Sequence, residues 1–178
     1  VADADGLLST FNSLLRIARA ESPAHRAGFA ELDLAALVRD VAELYEPLAE
    51  ERGLRLEVHA AGEALARGDR ALLFQALANL PDNAVKYTPV GGVVQVTVEG
   101  TPTGPVVVVA DSGPGIPEAE RPKVFRRFYR LDGARSTPGN GLGLSLVDAV
   151  ARLHGLRVEL ADNAPGLRVR LAFPATPG

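Results

Sequence analysis

Residues Arg70–Pro89, RALLFQALANLPDNAVKYTP, decide how the rest of the chain is read. At about 100° per residue, Leu72, Leu73, Ala76, Leu77, Leu80 and Ala84 fall on one apolar arc, which predicts a helix from Arg70 to about Tyr87 with Asp69 as its N-cap. The same winding puts Asn79 and Asn83, four apart, near each other at the edge of that arc, with Lys86 one turn on. Two amides bordering an apolar face are expensive unless something satisfies them. An amide oxygen is a hard ligand suited to Mg²⁺, and an ammonium is a point charge suited to phosphate. The plainer reading puts both amides at a solvated rim, and for the pair alone it is the favoured one.

Strand patterns follow on the C-terminal side, at Val93–Val98 and Val106–Ala110. Pro117–Arg130 reads as helical or turn-rich, Thr137–Gly143 as a Gly/Pro loop and Leu144–His154 as an amphipathic helix. Arg157–Leu160 and Leu167–Phe173 read as a hairpin around Asn163 and Gly166. On the N-terminal side, Leu54, Leu56 and Val58 alternate with charges as in a half-buried strand. Before them, Leu34–Leu48 carries a helical stripe capped by Asp33 and stopped by Gly53. Ser22–Gly28 is linker-like, and Gly6–Glu21 is a helix whose Leu7, Phe11, Leu14 and Ala18 recur at heptad-like steps widened by Leu8 and Leu15. Such a helix suits a bundle with partners on more than one side, or packing on its own domain. The mixed order predicts an α+β fold, helices laid on one face of a mixed sheet.

Composition narrows the function. The 178 residues are 47% hydrophobic and 23% charged, ordinary for a globular chain. A net charge of -3 argues against a bulk electrostatic grip on nucleic acid. Without cysteine there is no disulfide framework, thiolate metal site or cysteine nucleophile. No apolar run approaches the roughly 18 residues of a membrane helix. With no methionine at all, the expectation is a soluble, intracellular piece of a longer protein.

Two further stretches could carry chemistry. Asp111-Ser-Gly-Pro-Gly-Ile-Pro117 places a carboxylate at a strand end, followed by glycines that let a ligand edge come close to the backbone. An ionised Asp only accepts hydrogen bonds, so it would select a donor such as the adenine amine over the guanine carbonyl. Gly139-Asn-Gly-Leu-Gly143, running into an apolar helix, could hold an anion on backbone N–H groups, with Arg126, Arg127, Arg130 and Arg135 just upstream. It is not a Walker A loop, since no Lys-Ser/Thr follows. Each stretch alone is also explained by an ordinary turn or a solvated loop.

Taken in order, Asn79–Pro89, Asp111–Pro117, Val124-Phe-Arg-Arg-Phe-Tyr-Arg130 and Gly139–Leu144 resemble the N, G1, F and G2 boxes of bacterial sensor histidine kinases. The resemblance covers roughly Leu32–Phe173 and extends back through the first helix. It implies a two-layer α/β sandwich shared with gyrase, the heat-shock chaperone ATPases and mismatch-repair MutL, the Bergerat fold, preceded by a bundle helix. Residues 1–22 would be the C-terminal helix of the dimerisation and phosphotransfer bundle, 23–30 a linker and 31–176 the ATP-binding domain. By the resemblance, Asn83 ligates Mg²⁺, Asn79 supports the metal shell, Lys86 and Arg130 approach the phosphates, and Tyr87 lies along the nucleotide. Asp111 accepts from the adenine amine, and Gly113, Gly115 and Ile116 shape the pocket. Phe125 and Phe128 pack the base of a mobile lid whose Gly139, Gly141 and Gly143 let it close, with Leu142 over the nucleotide. The implied cofactors are ATP and Mg²⁺. The implied partners are a phosphoacceptor histidine bundle, a response-regulator receiver domain and a second copy of the parent kinase, with the parent anchored in the bacterial inner membrane and this part on the cytoplasmic side.

None of His25, His59 and His154 has the context of the family's phosphoacceptor histidine, so all three read as structural, His154 as a cation at a helix C-terminus. The phosphorylated helix is expected upstream of Val1. One departure from the family pattern is Pro81, where an aliphatic residue is usual. A proline there removes the bond to the Leu77 carbonyl at about 3 kcal/mol or more, implying a kink or weakened nucleotide binding. Two alternatives stay open: an ATPase clamp of the gyrase or chaperone type, and a degenerate scaffold module.

Overall fold

The computed structural model describes residues 29–126 and 143–176, together with Asn12, Leu15 and Ala18, which are helical and exposed. The other positions of the predicted helix Gly6–Glu21 lie outside the described residues. Strand β1 (Ala30–Asp33) leads into helix α1 (Leu34–Glu51), then β2 (Arg55–His59), β3 (Leu65–Gly68) and helix α2 (Arg70–Tyr87). The hairpin β4 (Val93–Thr101) and β5 (Gly104–Asp111) follows, then a 3-10 helix Glu118–Lys123, helix α3 (Gly143–His154) and the hairpin β6 (Arg157–Asp162) and β7 (Leu167–Ala172). The order across the main sheet is β2-β4-β5-β7-β6, with β2 and β4 parallel and every other pair antiparallel.

Register explains the core. Val98, Val107, Leu171 and Val158 stand in one row across four strands, and Val96, Val109, Val169 and Leu160 in another. Because side chains alternate along a strand, both rows face the same side. There they join Leu37, Val38 and Val41 of α1, Leu73 and Leu77 of α2, and Leu146, Val147 and Val150 of α3 in a single cluster. This is the α+β sandwich expected from the sequence, with α1, α2 and α3 on one face of a mixed sheet. Among the described residues no helix is long and apolar enough to cross a membrane.

Both predicted N-caps form. Asp33 Oδ1 accepts from Ala35 N–H at 3.0 Å, and Asp69 Oδ1 accepts from Leu72 N–H at 3.1 Å. The two aspartates close the ends of β1 and β3, a two-stranded pair the sequence reading had not found, because four-residue strands carry too little periodicity. Helix α2 runs through Pro81 without interruption. The proline ring is fully buried and lines an apolar cavity of about 10 Å³ with Val41, Leu56, Leu77, Val96 and Val107.

His154 requires a correction. It is buried, with Nδ1 2.7 Å from the Val150 carbonyl, while Nε2 accepts the Asp69 N–H at 3.0 Å. An accepting Nε2 places the proton on Nδ1, so the ring is a neutral joint between the end of α3 and the cap of α2, not a cation opposite a helix dipole. Phe29 stacks on it at 4.5 Å between ring centroids and 8° between planes.

Candidate functional site

The C-terminal half of α2 is the spine of the site. Asn79 Nδ2 donates to the carbonyl of Gly143, the first residue of α3, at 3.2 Å. Asn83 faces the same residue: a Cβ on Gly143 would lie 3.6 Å from its Nδ2 and 3.7 Å from its Oδ1. Both amides are half-buried. The pair identified from spacing alone thus stands where the glycine stretch enters α3. Lys86 forms an ion pair with Asp82 at 2.8 Å, one turn back along the helix. Asp82 also lies close enough to half-buried Tyr45 of α1 that its carboxylate, after burial itself, helps push the phenol up to about 12.

Asp111 ends β5 opposite Val94. Its Oδ1 accepts from the N–H of Gly113 at 2.9 Å and of Leu167 at 3.3 Å. Among the described residues Oδ2 has no hydrogen-bond partner, so one carboxylate oxygen is anchored and the other is available. Burial raises the Asp111 carboxyl above the ordinary aspartate value, and the two N–H groups partly oppose that rise. A polar donor from a ligand would favour the charged form again.

Glycine is required around this acid. A Cβ on Gly113 would lie 3.0 Å from the Tyr87 carbonyl and 3.1 Å from Asp111 Oδ1, so the end of α2 packs directly on the acid's loop. Gly166, at φ +112, lies so close that a Cβ would stand 1.7 Å from the Asp111 carbonyl. The sequence reading took Gly166 for a hairpin turn only, and nothing in its spacing tied it to Asp111, 55 positions earlier in the chain. Thr88 was also missed. It is buried, and its Oγ1 has no hydrogen-bond partner among the described residues. A buried hydroxyl in that state is satisfied by a water or by a ligand atom.

Tyr87, Ile116 and Phe125 are half-buried, and the Ile116 carbonyl accepts from Arg121 Nε at 3.1 Å. Phe128, Arg130, Gly139, Gly141 and Leu142 lie outside the described residues. No cluster of three or more His, Cys, Asp or Glu able to hold a metal occurs among the described residues. The oxygen donors at this cleft are amide and carboxylate, and they fit a hard cation that keeps most of its own water.

Residues 68–177 match the family of histidine kinase-, DNA gyrase B- and HSP90-like ATPases. The chain belongs to that family. Within it, the similarity runs to sensor histidine kinases. The signal transduction histidine-protein kinase/phosphatase MprB of Mycobacterium leprae is 45% identical over 129 residues, covering 70% of this chain and 25% of that protein. The solved catalytic domain of histidine kinase ThkA superposes with a TM-score of 0.74 at 30% identity, covering 84% of this chain and 99% of that one. The structure of the mycobacterial sensor histidine kinase MprB gives 0.71 at 36% identity, covering 84% and 100%. This histidine kinase ATPase domain therefore spans about a quarter of the length of the M. leprae relative.

Proposed function

We propose that the cleft between α2, the Asp111 loop and the start of α3 holds Mg-ATP and presents its γ-phosphate to a histidine on a helical bundle of the parent kinase. The observation that carries this reading is the asymmetry at Asp111, with Oδ1 tied to two backbone N–H groups and Oδ2 left to accept from an exocyclic amine. Adenine carries that donor at C6, where guanine carries a carbonyl, which only accepts. Thr88 Oγ1 beside the same loop supplies a second polar contact for the base edge, directly or through a water.

Asn83 would ligate Mg²⁺, Asn79 would support its shell, and phosphates and waters would complete it. The ion would supply charge neutralisation at the phosphates. Lys86, exchanging Asp82 for phosphate, and Arg130 add positive charge there. Tyr87, Ile116 and Phe128 flank the nucleotide with Gly113 and Gly115, and Gly139, Gly141 and Gly143 let the flap carrying Leu142 close over it. Transfer breaks the bond from the γ-phosphorus to its bridging oxygen and forms one to an imidazole nitrogen, and the phosphoryl group then passes to a response-regulator aspartate. In this reading residues 1–22 belong to the dimerisation bundle, 23–30 to a linker and 31–176 to the ATP-binding domain. The parent is a homodimer anchored in the inner membrane, and this chain does not autophosphorylate alone.

The test is a thermal-shift titration with ATP and GTP, with and without Mg²⁺, on the wild type and on Asn83→Ala. A ligand that binds only the folded state must stabilise it. ATP stabilisation that needs Mg²⁺ and Asn83, and that GTP does not reproduce, is the expected result. No shift with any nucleotide would leave a scaffold module in its place.

A further inference from the structure

The β6–β7 turn grips Asp111 at more points than a hairpin needs. Asn163 Nδ2 donates to the Asp111 backbone carbonyl at 2.8 Å. Leu167 N–H donates to Asp111 Oδ1 at 3.3 Å. Buried Gly166 packs on that same carbonyl with no room for a Cβ, and the Gly166 carbonyl would stand 2.8 Å from a Cβ on Gly115. The turn closes on itself through Asn163 N–H donating to the Gly166 carbonyl at 3.0 Å. The β5–β7 ladder ends at Ala110 and Arg168, so Asp111 lies one residue beyond its last pair and these contacts replace it.

We infer that Asn163 is a positioning residue for base recognition: it fixes the Asp111 main chain from the β6–β7 turn and thereby aims the free Oδ2 at the exocyclic amine of an adenine nucleotide. This rests on the nucleotide reading above and adds to it a second determinant of base choice, on a part of the chain outside the four sequence boxes. With carbonyl and Oδ1 both held, the Oδ2 direction is preset. Without Asn163 the peptide after Asp111 can rotate, and the acid points at the base only part of the time.

The test is calorimetric titration of the full 178-residue chain with ATP, GTP and inorganic tripolyphosphate, in the wild type, Asn163→Ala and Asn163→Asp. The Asp variant keeps the size of the side chain and the backbone bond to Gly166 while turning the donor into a charged acceptor, and serves if the Ala variant fails to fold. The expected result is ATP affinity lower by about tenfold in both variants, the consequence of losing one well-made hydrogen bond. Tripolyphosphate and GTP affinities should stay within twofold, so the ATP-to-GTP ratio shrinks. An unchanged ratio would overturn the inference, as would ATP and tripolyphosphate weakening by the same factor, which is general loosening of the fold. Wild-type protein that binds no ATP would instead overturn the nucleotide reading itself, an outcome visible before any variant is made.

Discussion

The Asp111 carboxyl sits half-buried, where its charge is disfavoured, and the two N–H groups on Oδ1 only partly offset that. An acid whose folded value is raised holds its proton longer in the folded chain than in the unfolded one. Its contribution to stability therefore falls as pH rises from the ordinary value of 3.8 through the raised one, and levels off above it. Asp111→Asn keeps an oxygen for Gly113 and Leu167 and removes the charge. It is expected to melt at or above the wild-type Tm at pH 7, with an advantage that grows across that acidic window and then holds. Melting curves from pH 3.5 to 7 check this, and ATP should stabilise the variant no longer. A Tm well below wild type at neutral pH would refute the account. For Tyr45, burial and then Asp82 hold the phenol at about 12, so Asp82→Asn should bring that ionisation down, read by ultraviolet absorbance at alkaline pH.

Helix α2 was legible in the sequence, while the surroundings of its Pro81 were not. Its apolar arc, Asp69 cap and paired asparagines were all legible, because 3.6-residue periodicity is a property of the local sequence. The helix continues through Pro81, whose ring is packed into the core. Pro81→Leu restores the bond to the Leu77 carbonyl and fills the small cavity, while giving back some freedom to the unfolded chain. A net gain of about 2 kcal/mol, or roughly 4–8 °C in Tm by thermal melt, is expected. An unchanged Tm would mean the proline is accommodated at no cost. The α2–α3 joint is a second element-scale feature. Gly68→Ala would push a Cβ to 2.5 Å from His154 Cδ2, and the ring has no room to retreat because Val150, Asp69 and Phe29 hold it. A loss of about 2 kcal/mol is expected, an overpacking penalty seen in chemical denaturation.

At the scale of the whole molecule, the proposed nucleotide site couples binding to folding, because its cleft is built from elements far apart in sequence. Mg-ATP at a hundredfold excess over its Kd should add about 2.7 kcal/mol, roughly 5–10 °C in Tm, and Asn83→Ala should abolish the part that depends on Mg²⁺. Phosphorylation, followed with radiolabelled ATP, is expected only when a bundle bearing the acceptor histidine is added in trans; labelling of this chain alone would contradict the reading. By itself the sequence determined the types of the longer elements and both helix caps, because these depend on neighbours within a turn or two, and from their mixed order the α+β architecture. The sheet order, the β1–β3 pair, the neutral His154 joint and the grip of the β6–β7 turn on Asp111 were decided only in three dimensions. Each depends on which segments meet, and a contact spanning 52 positions, such as that between Asn163 and Asp111, leaves no periodic trace along the chain.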